Sequence, residues 1–292
     1  MLNLLLSILF SAALLMIFRL FPRYGIRSFQ AITFNYFTCV GVGALFLPST
    51  TRFFTPTAEL ALMLFLGLCF FLTFTLTSLT VQRVGVTVAS LATNLSLVLP
   101  VLFSLLVLGT GSRPLNAANY AGMGLALVAI GLASVKKAPG PAPTQESTTG
   151  AWAALLPVVV FLLSGSNNAL TNYLTAQGRF SEVEFTWLAF LGAAFSAGLV
   201  LVVQMARGRE RFHARSAVGG IVLGLGNYFS YLFLVRALSD FGGNGALLFP
   251  LYNLGTILVA AGVAVLGFRE RLSGLNWLGL GLALGALGLL VG

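Results

Sequence analysis

Charge is what this sequence has least of. Charged side chains make up 8% of its 292 residues, where a soluble domain carries about 25%. Only seven are acidic, and Glu59, Glu146, Glu182, Glu184, Glu210, Asp240 and Glu270 all fall at the ends of apolar runs or in the breaks between them. The single histidine, His213, sits in the basic stretch "RGRERFHAR". There is no HExxH zinc motif, no pair of central carboxylates and no nucleophile beside a plausible base, so the chain does not read as an enzyme. It has no P-loop, and "GMGLAL" lacks the preceding strand and the following acidic residue of a dinucleotide fingerprint. No cofactor and no metal is expected. Cysteine is nearly absent too: Cys39 and Cys69 lie in apolar segments without metal-site or disulfide spacing and read as small buried hydrophobes.

What replaces charge is apolar sequence. Hydrophobic residues account for 58% of the chain and the mean hydropathy is +0.97. A helix crossing about 30 Å of hydrocarbon needs roughly 20 apolar residues, and runs of that length recur with only short breaks. The chain is expected to be a multi-pass protein of the plasma (inner) membrane, with the lipid bilayer as its surroundings. Its net charge of +9 does not point to nucleic acid, because no soluble face exists to present a basic stripe. The opening "MLNLLLSILFSAALLMIFRLFPR" has its arginines after the apolar stretch and none before it, so it reads as a retained first span and not as a signal peptide.

The apolar runs predict ten helices, near 2–20, 28–47, 58–80, 84–108, 115–135, 151–176, 183–205, 215–238, 243–267 and 272–291. The only sustained polar stretch, "KKAPGPAPTQESTTG" at 136–150, has the composition of a solvated linker. It separates a first five-helix repeat, 1–135, from a second, 151–292. The halves resemble each other: "GMGLALVAIGL" (Gly122 to Leu132) lines up with "GLGLALGALGL" (Gly279 to Leu289), and a shift of nearly the same size brings Gly85 onto Gly243 and Gly109 onto Gly267. Five is odd, so the second copy must enter the membrane from the opposite side. The expected fold is therefore an all-α integral membrane protein of ten transmembrane helices in two inverted five-helix repeats, an architecture typical of secondary transporters with a midplane site between repeats.

Charge placement orients the chain. Loops after spans one, three, five, seven and nine hold Arg19, Arg23, Arg27, Arg83, Lys136, Lys137, Arg207, Arg209, Arg211, Arg215, Arg269 and Arg271; the opposite side has Arg52, Arg113, Arg179 and Arg236. The positive-inside rule then puts both termini outside.

Against this apolar background the polar clusters stand out. In the sixth span, "SGSNNALTNYLT" places Ser164, Asn168 and Asn172 on one helical face with Asn167 and Thr171 beside it. An amide facing lipid has no water to bond, so that face must look towards other helices or a cavity. One reading is interhelical hydrogen bonds; the other is a polar wall of a substrate path. Other candidates for that wall are Asn35 and Tyr36 in the second span, Thr77 in the third, Ser90 and Asn94 in the fourth, Asn227 and Tyr231 in the eighth, and Tyr252 and Asn253 in the ninth. Pro100 and Pro250 interrupt the fourth and ninth spans, as ordinary kinks or as sources of free carbonyls for a ligand. No Asp, Glu or His lies at mid-depth, where a proton-driven pump usually carries one.

The two five-helix halves and the ending "LGFRERLSGLNWLGLGLALGALGLLV" (Leu266 to Val291) resemble the EamA-type members of the drug/metabolite transporter superfamily. In that family the fourth helix of a repeat commonly ends in a gly-x-x-glu pattern followed by a glycine-rich fifth helix; Gly267, Glu270 and the glycines from Gly279 to Gly288 match it, while the first half has Ser112 where Glu270 would align. The resemblance implies an exporter or exchanger of amino acids, other metabolites or amphipathic drugs. Many members are placed with both termini in the cytoplasm, in conflict with the charge count, which is retained here. Neutral amides, hydroxyls and tyrosines suit zwitterionic or neutral solutes, giving as the leading expectation a carrier of small metabolites by alternating access, working by facilitated diffusion or exchange. A multidrug exporter lined by Phe and Tyr and a non-transporting membrane scaffold are the alternatives. The glycine-rich faces of the fifth and tenth spans offer either a homodimer contact or packing within the bundle.

Overall fold

A computed structural model of the protein describes residues 1–48, 58–83, 86–109, 115–134, 151–268 and 273–291. The linker at 136–150, Gly85, Ser112 and Glu270 lie outside the described residues, as does the side chain of Ser90. Among those described the protein is all-helical: α1 (Leu2–Leu20), a 3-10 turn (Pro22–Tyr24), α2 (Ser28–Leu45), α3 (Ala58–Arg83), α4 (Val86–Leu95), α5 (Val98–Phe103) continuing into a π-helical turn (Ser104–Leu108), α6 (Ala117–Ser134), α7 (Ala151–Gln177), α8 (Glu182–Ala206), α9 (Ala214–Asp240), α10 (Gly245–Phe268) and α11 (Gly274–Val291). Five described helices, α3, α8, α9, α10 and α11, are long and apolar enough to cross a membrane.

Nine of the apolar runs became single helices. The fourth, read from sequence as one run over 84–108, is broken at Ser96–Leu97 between α4 and α5. Pro100 supplies the reason. It has no N–H for the Ser96 carbonyl four residues back, and the Leu99 amide donates to that carbonyl instead, at 3.0 Å. The Ser96 hydroxyl turns back to the Thr93 carbonyl at 2.6 Å. Pro250, by contrast, sits inside a continuous α10, and Pro157 inside a continuous α7.

The helices gather into two compact units, each drawn from both sequence halves: residues 1–72 with 170–243, and 73–169 with 244–292. In the first unit small residues bring helices to backbone contact, as in membrane bundles generally. A Cβ on Gly67 of α3 would overlap the backbone of α8 at Ala189 and Ala193, and one on Gly192 would overlap Leu64 of α3. Gly220 and Gly224, one turn apart on α9, do the same against Ala31 and Asn35 of α2. The Cys39 thiol donates to the Gly224 carbonyl at 3.4 Å, and both cysteines are buried thiols. α1 joins through Ser7, whose hydroxyl donates to the Ser230 carbonyl at 2.8 Å, and through Ser11 and Ser230, 2.6 Å apart. An aromatic core of Tyr36, Phe190, Tyr228 and Phe71 fills the space between.

The ends of this unit are tied in two sets. At one, Arg27 meets Glu210 at 3.0 Å, and the buried Gln30 amide donates to Glu210 at 2.8 Å and to the Arg211 carbonyl at 2.6 Å. At the other, Glu59 meets Arg179 at 3.3 Å and Asp240 meets the Met1 ammonium at 3.8 Å. The first set joins loops after α1 and α8 and the second joins the remaining ends, as expected of helices that alternate in direction.

The second unit is centred on α6 and α11, which lie antiparallel. Asn119 near the start of α6 donates to the Leu289 and Leu290 carbonyls at the end of α11, at 3.2 and 3.3 Å. Asn276 near the start of α11 donates to Leu132 at the end of α6, at 3.3 Å. The two bonds exchange under one offset, since 276 − 119 and 289 − 132 are both 157, the same offset that carries Gly122 onto Gly279. Gly122 packs on Leu289 and Leu290, and Gly285 on Leu125, whereas Gly124, Gly131, Gly281 and Gly288 face open space.

Candidate functional site

The polar stretch of α7 divides by face. Asn167 donates through Nδ2 to the Thr73 hydroxyl at 2.8 Å, and Thr171 and Tyr231 share a hydrogen bond of 2.9 Å. These two residues hold α7 to its neighbours. The adjacent face behaves differently. Asn172 is fully buried, and neither its amide nitrogen nor its amide oxygen has a hydrogen-bond partner among the described residues. The hydroxyls of Ser164 and Thr175 are likewise buried without a partner. Ser164, Asn168, Asn172 and Thr175 stand at i, i+4, i+8 and i+11, one stripe of the helix about 16 Å long at 1.5 Å per residue. Asn168, in its middle, is half-buried.

An orphaned buried amide is costly and uncommon, and asks for a ligand or an ordered water as its explanation. At the Thr175 end, in the first unit, the stripe opens on a cavity of about 290 Å³ whose walls include Thr175, Arg179, Ser181, Glu182, Phe185 and Ser239. Its rim is set by the start of α8, where Ser181 and Glu184 cap the helix reciprocally, the Glu184 carboxylate accepting from the Ser181 amide at 3.0 Å. At the other end, in the second unit, Gly165 fits against the break of the fourth span: a Cβ there would overlap Leu99 and the Ser96 carbonyl. Gly165, in the polar stretch of α7, thus packs against the break between α4 and α5.

The remaining sequence candidates are dispersed. Asn35, Tyr36, Asn172, Asn227 and Tyr231 belong to the first compact unit, and Thr77, Ser90, Asn94, Ser164, Asn168, Tyr252 and Asn253 to the second. Asn35 and Asn227 are brought together, the Asn227 amide donating to Asn35 Oδ1 at 3.1 Å across the glycine contact of α2 and α9. Tyr36 is fully buried in the aromatic core, its ring 6.2 Å from that of Phe190. Tyr231 lies among Phe70, Phe185 and Phe190. Asn253 donates to the Phe249 carbonyl of its own helix at 2.9 Å; Thr77, Asn94 and Tyr252 are half-buried. Sequence reasoning missed Thr175, although it continues the periodicity of the stripe, and it missed Thr186 and Ser104, whose buried hydroxyls also lack a partner among the described residues. Among the described residues no group of His, Cys, Asp or Glu could hold a metal ion.

No protein-family model matches the chain. It is 29% identical over 293 residues to an uncharacterized protein of Haemophilus influenzae, a match covering 98% of this chain and 96% of the relative. It also superposes on a protein of known crystal structure with a TM-score of 0.67, at 17% identity, over 99% of this chain and 94% of the other. The chain therefore shares that protein's fold along its whole length. Neither similarity carries a function with it.

Proposed function

We propose that the protein is a secondary transporter, an exporter or exchanger of small neutral or zwitterionic metabolites such as amino acids, working by alternating access. The observation that carries this reading is the unpartnered amide of Asn172 within the α7 stripe. Amides and hydroxyls offer donors and acceptors together, which suits a solute bearing both an ammonium and a carboxylate. The broken fourth span packed on Gly165 supports it, since interrupted helices at membrane depth are tolerated where backbone is enclosed by protein or lines a path. The reciprocal bonds of Asn119 and Asn276 support the ten-span inverted repeat, because a two-fold axis in the membrane plane relates antiparallel helices in this way. The motif resemblance to EamA-type members of the drug/metabolite transporter superfamily supports the same assignment. With no titratable group in the stripe, transport is facilitative or by exchange, and the distribution of basic residues supports an orientation with both termini outside the plasma membrane.

The test is counterflow of labelled amino acids in liposomes, with and without a pH gradient, for wild type and Asn168→Leu. Saturable exchange that ignores the gradient and is lost in the folded variant is the expected result. Exchange of amphipathic dyes but of no amino acid would favour a multidrug exporter. Absence of any flux in folded protein would favour a scaffold and end the transport reading.

A further inference from the structure

A second cavity, of about 890 Å³, lies on the first compact unit between the end of α1 and the start of α9. It is far from the α7 stripe in character. Ile17 and Leu20 of α1 and Val218 and Val222 of α9 form apolar walls, with Val218 61% and Val222 49% exposed. At one end Arg23, Tyr24 and Arg215 form the mouth. Gly219 lets Ile26 lie directly on α9 to close the floor, for a Cβ there would overlap it. Gly25, at φ 61, turns the chain back after Pro22–Tyr24 in a conformation that a side chain disfavours, and so leaves Arg23 and Tyr24 at the groove's mouth.

We infer that this groove binds one anionic phospholipid, with an acyl chain along the apolar walls and the phosphate at Arg23 and Arg215. Three observations select that occupant. The volume falls within the roughly 300–1,000 Å³ of sites that hold a small molecule, and the apolar walls, Ile17 and Leu20 of α1 with Val218 and Val222 of α9, run for about one helical turn on each side of the mouth, where the first part of an acyl chain would lie. The charge is of one sign: neither Arg23 nor Arg215 has an ion pair among the described residues, while Glu210, the carboxylate of this end, is already engaged by Arg27 and Gln30. The apolar part is continuous with the exposed face of a helix long enough to cross a membrane, and Tyr24, 57% exposed, has the amphipathic ring that favours the headgroup level. Basic pockets between membrane helices recognise anionic headgroups in this manner. A neutral zwitterionic lipid would fill the walls equally well and leave both guanidinium groups with a weaker partner.

The inference rests on the membrane reading of the chain, and the experiment separates the two. Membranes containing the protein are washed with alkaline carbonate: release without detergent overturns the membrane reading itself. Protein that stays is purified in detergent, and binding of phosphatidylglycerol and of phosphatidylcholine with the same acyl chains is measured by native mass spectrometry. The expected preference for phosphatidylglycerol is about tenfold or more, since each arginine near an anionic headgroup contributes about a fivefold factor. The Arg23→Gln, Arg215→Gln double variant, altered at exposed positions outside the packed core, is expected to bind both lipids alike. Equal binding of the two lipids by wild type, or an unchanged preference in the double variant, overturns the proposal. Displacement of the lipid by soluble glycerol phosphate at equal concentration would also overturn it, by reducing the site to an anion site without a chain.

Discussion

Replacing Asn172 by Leu should leave the protein as stable as before or more so. The reasoning starts from an asymmetry between two buried asparagines. Asn172 is fully buried with both amide atoms unpartnered, and a buried amide without a partner costs about 1–3 kcal/mol. Leucine has the same γ-branched skeleton of four side-chain heavy atoms and no polar atom to satisfy, so the substitution removes that cost. Asn35 is buried as deeply, at 2% exposure, but accepts from Asn227 at 3.1 Å. Asn35→Leu strands the Asn227 amide and should cost about 1 kcal/mol, the usual worth of an interhelical bond in membranes. Thermal unfolding in detergent can be followed with a thiol-reactive fluorophore, because Cys39 and Cys69 are both buried thiols and react only on unfolding. At about 2 °C per kcal/mol, the two variants should move in opposite directions by an amount that is easily read. A midpoint for Asn172→Leu that falls as far as that of Asn35→Leu would refute the reasoning. The amide would then have a structural partner in the folded protein, and the α7 stripe would be helix–helix adhesion.

Gly192→Val places a side chain into the Leu64 backbone, which cannot give way as a flexible side chain can; the unfolding midpoint should drop by the equivalent of about 3 kcal/mol, the upper end for overpacking. Gly124→Val, whose Cβ meets nothing, should change it little in the same assay. Gln30→Leu removes three hydrogen bonds that hold the loop before α9 to α2, including that from the His213 amide, and should cost about 1–3 kcal/mol with faster proteolysis at 207–213. For topology, a membrane-impermeant maleimide added to intact cells should label Asp240→Cys and spare Phe212→Cys; the reverse pattern would invert the charge-based orientation.

Much of the helical layout was legible because apolar runs and their breaks report composition directly. α1 runs over Leu2–Leu20, as read, and α7 over Ala151–Gln177, one residue beyond. The break in the fourth span was legible from Pro100, but not its place at Ser96–Leu97, because the proline acts on a carbonyl four residues upstream, nor that Pro250 would leave α10 continuous. Nor could sequence separate the two roles within "SGSNNALTNYLT". Asn167 and Asn172 have the same chemistry, and only packing decides that the first meets Thr73 while the second meets no partner. The same holds for glycines. Nothing in the sequence distinguishes Gly192, pressed on a neighbouring backbone, from Gly124, which faces open space.

Asn119 and Asn276 were overlooked because each looks like a poor version of a familiar helix start. Asn116 and Asn119 cap α6 reciprocally, at 3.0 and 2.8 Å, and Ser273 with Asn276 caps α11 in the same way, at 3.1 and 3.2 Å. The usual residue at the fourth position of such a box is Glu or Gln, and α8 uses Glu184 there at an exposed site. At Asn119 and Asn276 the side chain has a second task. Its oxygen caps its own helix, and its nitrogen donates to the last carbonyls of the antiparallel partner. A carboxylate can do the first and not the second, having no N–H, and would set a negative charge, at a site only 8% exposed, against the negative end of the facing helix. Asn119→Glu should therefore destabilise more than Asn119→Leu, although it preserves the capping acceptor. Asn276→Glu should match it, because the two sites exchange under the same offset of 157. Equal midpoints for Asn119→Glu and wild type would show that the α6–α11 bonds contribute nothing, and clearly unequal shifts at the two asparagines would refute the equivalence of the halves.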